Sequence, residues 1–166
     1  MTTVIFSHGK ESGPWGTKIR AMAELVKGLG CAVDSIDYQG MEDPSDRVSK
    51  LIAVCKDLDD AIVLVGSSMG GHVAASAAAG VGAAGLFVIA PAFYMPGYED
   101  LTPEPPKIPI AIVHGWRDEI VPVENSIRFA ASCRAELHVL DGGHRLTENI
   151  DEINYYLQRF IEKIVS

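Results

Sequence analysis

Short, continuously apolar runs alternate with helix-length amphipathic segments along almost the whole chain, and this alternation constrains the fold more than any other feature. The runs are Val4 to Phe6, Ala32 to Ile36, Ala61 to Val65, Leu86 to Ile89, Ile110 to Val113 and Leu137 to Leu140. The central ones lack the apolar–polar alternation of a half-exposed strand. Strands that read apolar at successive positions are covered on both faces, as in parallel sheets. Between them, Thr17 to Leu29 sets Ile19, Met22, Ala23 and Val26 on one helical face. Pro44 to Leu58 opens with Asp43 as an N-cap and proline at the first helical position. Gly70 to Ala79 is small and Ala-rich, as a tightly buried helix would be, and Val123 to Ser132 and Asn149 to Ile164 complete the set. The pattern predicts a three-layer, doubly wound α/β fold with about six mainly parallel strands and right-handed crossovers.

A chain of 166 residues is expected to form a single domain over 1–166. Area scaling gives a folded surface of roughly 8,000 Å² against about 26,000 Å² unfolded, enough for a full core without a disulfide or metal staple. Cys31, Cys55 and Cys133 are widely spaced with no Cys-x-x-Cys pair, so they read as reduced thiols and not as a zinc or redox site. With 14 Lys+Arg against 22 Asp+Glu, the net charge of −8 disfavours nucleic acid and anionic membranes. The amino terminus runs straight into apolar sequence with no basic leader, and Gly and Ser break every apolar stretch well short of a membrane span. A soluble, cytoplasmic protein is expected.

From Pro91 to Pro109 the chain holds six of its nine prolines and no helical periodicity. Proline fixes φ and removes donors, so an irregular loop is predicted over one sheet edge. Phe93, Tyr94, Met95 and Tyr98 would form an apolar wall there.

The strongest chemical signal is Val65-Gly66-Ser67-Ser68-Met69-Gly70-Gly71, placed directly after the most apolar run and before the Ala-rich helix. A serine on a sharp strand-to-helix turn is held in a strained conformation, and side chains two residues to either side would collide there. Gly66 and Gly70 relieve that crowding; Ser67, flanked at the same distance by Val65 and Met69, has no such relief. The following helix points free N–H groups and partial positive charge at the serine oxygen. Ser68 is therefore the candidate nucleophile.

A serine hydroxyl needs a base, and the base needs an orienting acid. His144, in Asp141-Gly142-Gly143-His144-Arg145, follows the last strand. Asp118, in His114-Gly115-Trp116-Arg117-Asp118-Glu119, follows the fifth, with Glu119 the weaker alternative. All three fall beyond carboxyl ends of predicted strands, on the rim where open α/β sheets place ligands. His8 and His114, each before a glycine, read as loop braces; His72 and His138 read as structural or solvent-facing. No His-x-x-x-His or His-Glu-x-x-His pair occurs, so no metal is expected, and the Gly9, Gly13, Gly16 spacing does not match a dinucleotide fingerprint. Trp15 and Trp116 sit in rim loops as candidate pocket walls, and Lys10 is a candidate contact for a substrate carboxylate.

From Ser7-His8-Gly9 to Gly143-His144, the chain resembles the α/β-hydrolase superfamily, most closely its small, lid-less bacterial members. The resemblance implies oxyanion donors from the backbone N–H groups of Lys10, after the first-strand His-Gly, and Met69, after the nucleophile. It also implies a serine hydrolase of carboxylesterase or thioesterase type, acting on a small ester or thioester through an acyl-enzyme without a cofactor. The cap and the two leading strands of larger members are absent, and residue 67 is Ser where His, Tyr or Asp is frequent. The rival expectation is a non-catalytic binding protein on the same scaffold.

Overall fold

A computed structural model describes residues 1–96 and 102–165. Six strands form one sheet: β1 (Thr2–Ser7), β2 (Ala32–Ile36), β3 (Ala61–Ser67), β4 (Gly85–Ile89), β5 (Ile110–Gly115) and β6 (Glu136–Leu140). Their order is β2-β1-β3-β4-β5-β6, and every neighbouring pair is parallel. The sheet is thus wholly, not mainly, parallel.

Continuous apolar runs are required because each strand feeds two cores. Val4, Phe6, Val63, Val65, Phe87 and Ile89 point to one face, where they meet α1 (Thr17–Gly28) and α5 (Ile150–Val165). Ile5, Ile62, Leu64, Leu86 and Val88 point to the other, under α2 (Pro44–Cys55), α3 (Met69–Val81) and α4 (Val123–Cys133). Asp43 caps α2 by accepting the Ser45 N–H at 2.8 Å. Helix α2 ends at Cys55, three residues before the predicted Leu58, and α5 is preceded by a 3-10 turn, Thr147–Asn149. From Pro91 to Pro109 the described residues hold turns and irregular chain with no helix or strand; Tyr98 of the predicted wall lies outside the described residues.

The chain leaves β1 for β2 on one side, then crosses back to β3 on the other. The sheet therefore reverses its winding between β1 and β3, and at such a switch point the carboxyl ends of the strands part to leave a crevice. Ser7 pairs with Gly66 at the head of this crevice. Among the described residues, no helix is long and apolar enough to cross a membrane.

Candidate active site

Ser68 stands between β3 and α3 with φ 55° and ψ −120°. A non-glycine residue with positive φ costs on the order of 1–3 kcal/mol and persists only where its surroundings enforce it. Here the Ser68 N–H donates to the Ile89 carbonyl at 2.9 Å, and its own carbonyl accepts from the Gly71 and Ala92 N–H groups, both at 3.0 Å. The flanking glycines are needed for steric reasons. A Cβ on Gly66 would run into the Gly70 carbonyl and lie 2.8 Å from the Gly71 Cα; one on Gly70 would collide with the Ser7 carbonyl and lie 2.6 Å from the His8 oxygen. Gly70 thus answers to the end of β1 as well as to the turn, which local spacing does not reveal.

The Ser68 hydroxyl lies 3.1 Å from His144 Nε2, and His144 Nδ1–H donates to Asp118 Oδ2 at 2.7 Å. A carboxylate only accepts, so Nδ1 carries the proton and Nε2 is left to receive one from serine. The Asp118 side chain is fully buried, whereas that of His144 is 21% exposed. Four donors hold the carboxylate: Ile120 and Val121 N–H on Oδ1, each at 2.8 Å, and both His144 and His114 on Oδ2. Burial pushes the Asp118 carboxyl up, but the hydrogen bonds from His114, His144, Val121 and Ile120 override it and hold the group well below the usual carboxylate range. Glu119 is exposed to solvent.

His114 is completely buried and braces more than its own loop. Its Nε2–H donates to Asp118 at 3.0 Å, with the Val121 carbonyl also at 3.0 Å, while Nδ1 accepts from the Ser126 hydroxyl at 2.7 Å. The loop carrying His144 is pinned in turn: Trp116 and Arg117 N–H groups donate to the Leu140 and Gly142 carbonyls, and Lys18 Nζ donates to the Arg145 carbonyl at 3.0 Å. Gly115 permits this approach, since a Cβ there would strike the Gly142 carbonyl. The Lys18 ammonium is pushed down to about 8 by burial and by nearby Arg145.

On the β1 side, the Lys10 and Met69 backbone N–H groups have no hydrogen-bond partner among the described residues. An ideal Cβ on Gly9 would lie 3.6 Å from Ser68 Cβ, so the turn after β1 packs directly against the elbow. His8 braces that turn, its Nδ1–H donating to the Gly9 carbonyl at 2.7 Å and its Nε2 accepting the Tyr38 N–H at 2.8 Å. Burial pushes His8 below its ordinary value, consistent with a neutral ring. His72 is buried on α3, and His138 stacks on Tyr156 at 3.7 Å.

The expected aromatic wall needs one correction. Phe93 is fully buried and stacks on Phe129 of α4, with ring centroids 4.1 Å apart, so it belongs to the core and presents no face to the rim. Tyr94 is half-buried beneath the Arg128 guanidinium, 3.9 Å from its ring centroid. Trp15 and Trp116 remain exposed, Trp116 by 60%. Among the described residues no group of three His, Cys, Asp or Glu side chains could hold a metal. A separate groove, lined by Pro105, Ile108, Cys133 and Ile164, opens beside the amino ends of β4–β6 and contains none of these site residues.

The pattern of the alpha/beta hydrolase family matches residues 4–134. The chain belongs to that family. Among solved structures, this α/β hydrolase is similar to a member of the superfamily from Xanthomonas campestris pv. campestris, with 28% identity, a TM-score of 0.90, and coverage of 97% of this chain and 98% of that one. Two more distant neighbours share the fold. Est1E from Butyrivibrio proteoclasticus shows 19% identity and a TM-score of 0.85, with coverage of 99% of this chain and 90% of that one. A lid-less α/β serine hydrolase from Xanthomonas campestris shows 20% identity and a TM-score of 0.76, with coverage of 98% and 81%. No match is found among curated protein sequences. Among the described residues of this α/β hydrolase there is no cap domain. Its family match stops at residue 134, ten residues before His144.

Proposed function

We propose that this α/β hydrolase is a serine hydrolase of small carboxylic esters or thioesters, with Ser68 as nucleophile, His144 as general base and Asp118 as the acid that orients it. The observation carrying the reading is the unbroken line from Ser68 Oγ through the His144 ring to Asp118 Oδ2, at 3.1 and 2.7 Å.

Ser68 Oγ attacks the substrate carbonyl carbon as its proton passes to His144 Nε2. The imidazolium is held by its Nδ1–H bond to Asp118, which stays ionised. Negative charge gathers on the former carbonyl oxygen, received by the Lys10 and Met69 backbone N–H groups; one such donor is worth about 3–4 kcal/mol in the transition state. The tetrahedral species collapses, the C–O or C–S bond breaks, and His144 returns its proton to the departing alcohol or thiol. Water then attacks the acyl-Ser68 ester with His144 again taking the proton, and the acid leaves. Trp15, Tyr94 and Trp116 are the candidate walls for the acyl or alcohol group; without a cap, they enclose it only in part.

Ser68→Ala is expected to lower hydrolysis of p-nitrophenyl acetate by at least about 10³-fold. A fluorophosphonate should add one phosphonyl group to Ser68, located by mass spectrometry. Unchanged turnover in Ser68→Ala, or labelling at another residue, overturns the assignment. Absence of both a p-nitrophenol burst and labelling in the native protein would assign the scaffold to non-catalytic binding instead.

A further inference from the structure

Arg47 lies on α2, outside the line of Ser68, His144 and Asp118, yet it is only 1% exposed. A buried cation is tolerated only where hydrogen bonds replace its hydration. Here Nη1–H groups donate to the His8 and Gly9 carbonyls at 3.3 and 3.2 Å, and Nη2–H to the Lys10 carbonyl at 3.4 Å. Nε–H donates to the Met41 carbonyl at 2.8 Å, and the guanidinium lies 5.2 Å from the Tyr38 ring centroid. One side chain thus grips three consecutive carbonyls of the turn after β1.

The direction of that grip has a consequence for the N–H groups of the same turn. A trans peptide unit is planar, so a carbonyl and the N–H of the next residue point opposite ways. Holding the Gly9 carbonyl toward α2 turns the Lys10 N–H away from α2. Gly9 itself packs against the elbow, with its ideal Cβ 3.6 Å from both Ser68 Cβ and the Ser67 oxygen. We propose that Arg47 is a positioning residue for the oxyanion hole: by gripping the His8, Gly9 and Lys10 carbonyls it aims the Lys10 N–H at the substrate oxygen above Ser68. This inference rests on the serine-hydrolase reading.

A lysine cannot substitute for it. The planar guanidinium has donors fixed in a fork and serves several carbonyls at once, whereas an ammonium is a single mobile point. An arginine that merely supported the fold would, when replaced, lower stability without changing the turnover of the molecules that remain folded. A positioning residue moves kcat and leaves KM nearly alone, because the oxyanion exists only in the transition state.

The test uses the full chain, with p-nitrophenyl acetate as substrate and cooperative melting as the check on folding. Removing an oxyanion donor typically costs about 10²–10³ in kcat, so Arg47→Ala is expected to fall about 100-fold with KM within about two-fold. Arg47→Lys should fall at least about 10-fold despite keeping the charge. Guanidinium ion, added at non-denaturing concentration, should restore part of kcat to Arg47→Ala and none to Arg47→Lys. A folded Arg47→Lys with native kcat, or a loss confined to melting temperature, overturns the inference; if Arg47→Ala does not fold, Arg47→Lys decides alone. Ser68-dependent turnover that survives the Arg47 replacements refutes this inference only. A native protein with no Ser68-dependent turnover refutes the hydrolase reading and this one with it.

Discussion

Asp118→Asn offers the sharpest perturbation of the proposed mechanism, because the surroundings dictate how the amide must turn. The Ile120 and Val121 N–H groups, each 2.8 Å from Oδ1, are backbone donors that cannot reverse. The asparagine carbonyl must therefore face them, and its NH₂ must face His144 and His114, which now meet Oδ2 as donors at 2.7 and 3.0 Å. His114 can adjust by keeping its Nε2 proton and giving it wholly to the Val121 carbonyl, 3.0 Å away. His144 can accept from the amide only by surrendering its Nδ1 proton, which then sits on Nε2, facing Ser68 without a lone pair to receive the hydroxyl proton. The tautomer is wrong while the geometry is intact, a defect that costs about 10⁴ in kcat, or roughly 5 kcal/mol of barrier. Steady-state kinetics on p-nitrophenyl acetate gives the rate. Long-range ¹H–¹⁵N correlation of the imidazole gives the tautomer, expected at Nδ1–H in the native protein and Nε2–H in the variant. A kcat within about ten-fold of native, with the tautomer switched, would refute the claim that His144 Nε2 must accept the Ser68 proton.

Two further outcomes follow from burial. His72 is 1% exposed, and burial pushes its pKa down to about 4, so the folded chain keeps it neutral where the unfolded chain, near 6.5, takes up a proton. The unfolded state then binds more protons, and stability falls as pH drops from about 6.5 to about 4, by at most on the order of 3 kcal/mol. Denaturant titrations over that range should show a flatter pH slope in His72→Gln, and an unchanged slope would count against the burial argument. Phe93→Ala should cost about 3–5 kcal/mol and roughly 6–20 °C in melting temperature, with KM unmoved. A raised KM with native stability would return Phe93 to the pocket wall.

The readable and unreadable parts of this molecule divide by the range of the forces involved. The strands announce themselves because covering both faces demands apolar residues such as Ile62, Val63, Leu64 and Val65 in succession. The elbow is legible for a similar reason at Gly66, which answers to Gly70 and Gly71 within a few residues of Ser68. The clash that excludes a side chain at Gly70 comes instead from Ser7 and His8 at the end of β1. Arg47 carries a weaker mark: its four- and eight-residue spacing from Leu51 and Cys55 puts it on the buried face of α2, but only the crossover from β2 to β3 brings it beneath the turn after β1. The contact of His114 with Asp118 was half visible, since its bracing role could be inferred but not its claim on the same oxygen as His144. Phe93 is ambiguous in the sequence because the proline-rich segment has no periodicity to tell an inward aromatic from an outward one. The stacking partner that decides the matter, Phe129, lies 36 residues along the chain.

The register between β1 and β3 also sets a limit on how such a site can diversify. Ser7 and Gly66 are paired rungs of one ladder, and the two proposed oxyanion donors, Lys10 and Met69, each follow their rung by three residues. Neighbouring strands keep a spacing of about 4.8 Å dictated by backbone hydrogen bonding alone. The gap between these two proposed donors is therefore gauged by the sheet, and side-chain replacement on the rim has little leverage over it. Variation among chains built this way has to fall on the other bank of the crevice, in the loops after β4 and β5, where residues such as Tyr94 and Trp116 can change without disturbing a rung.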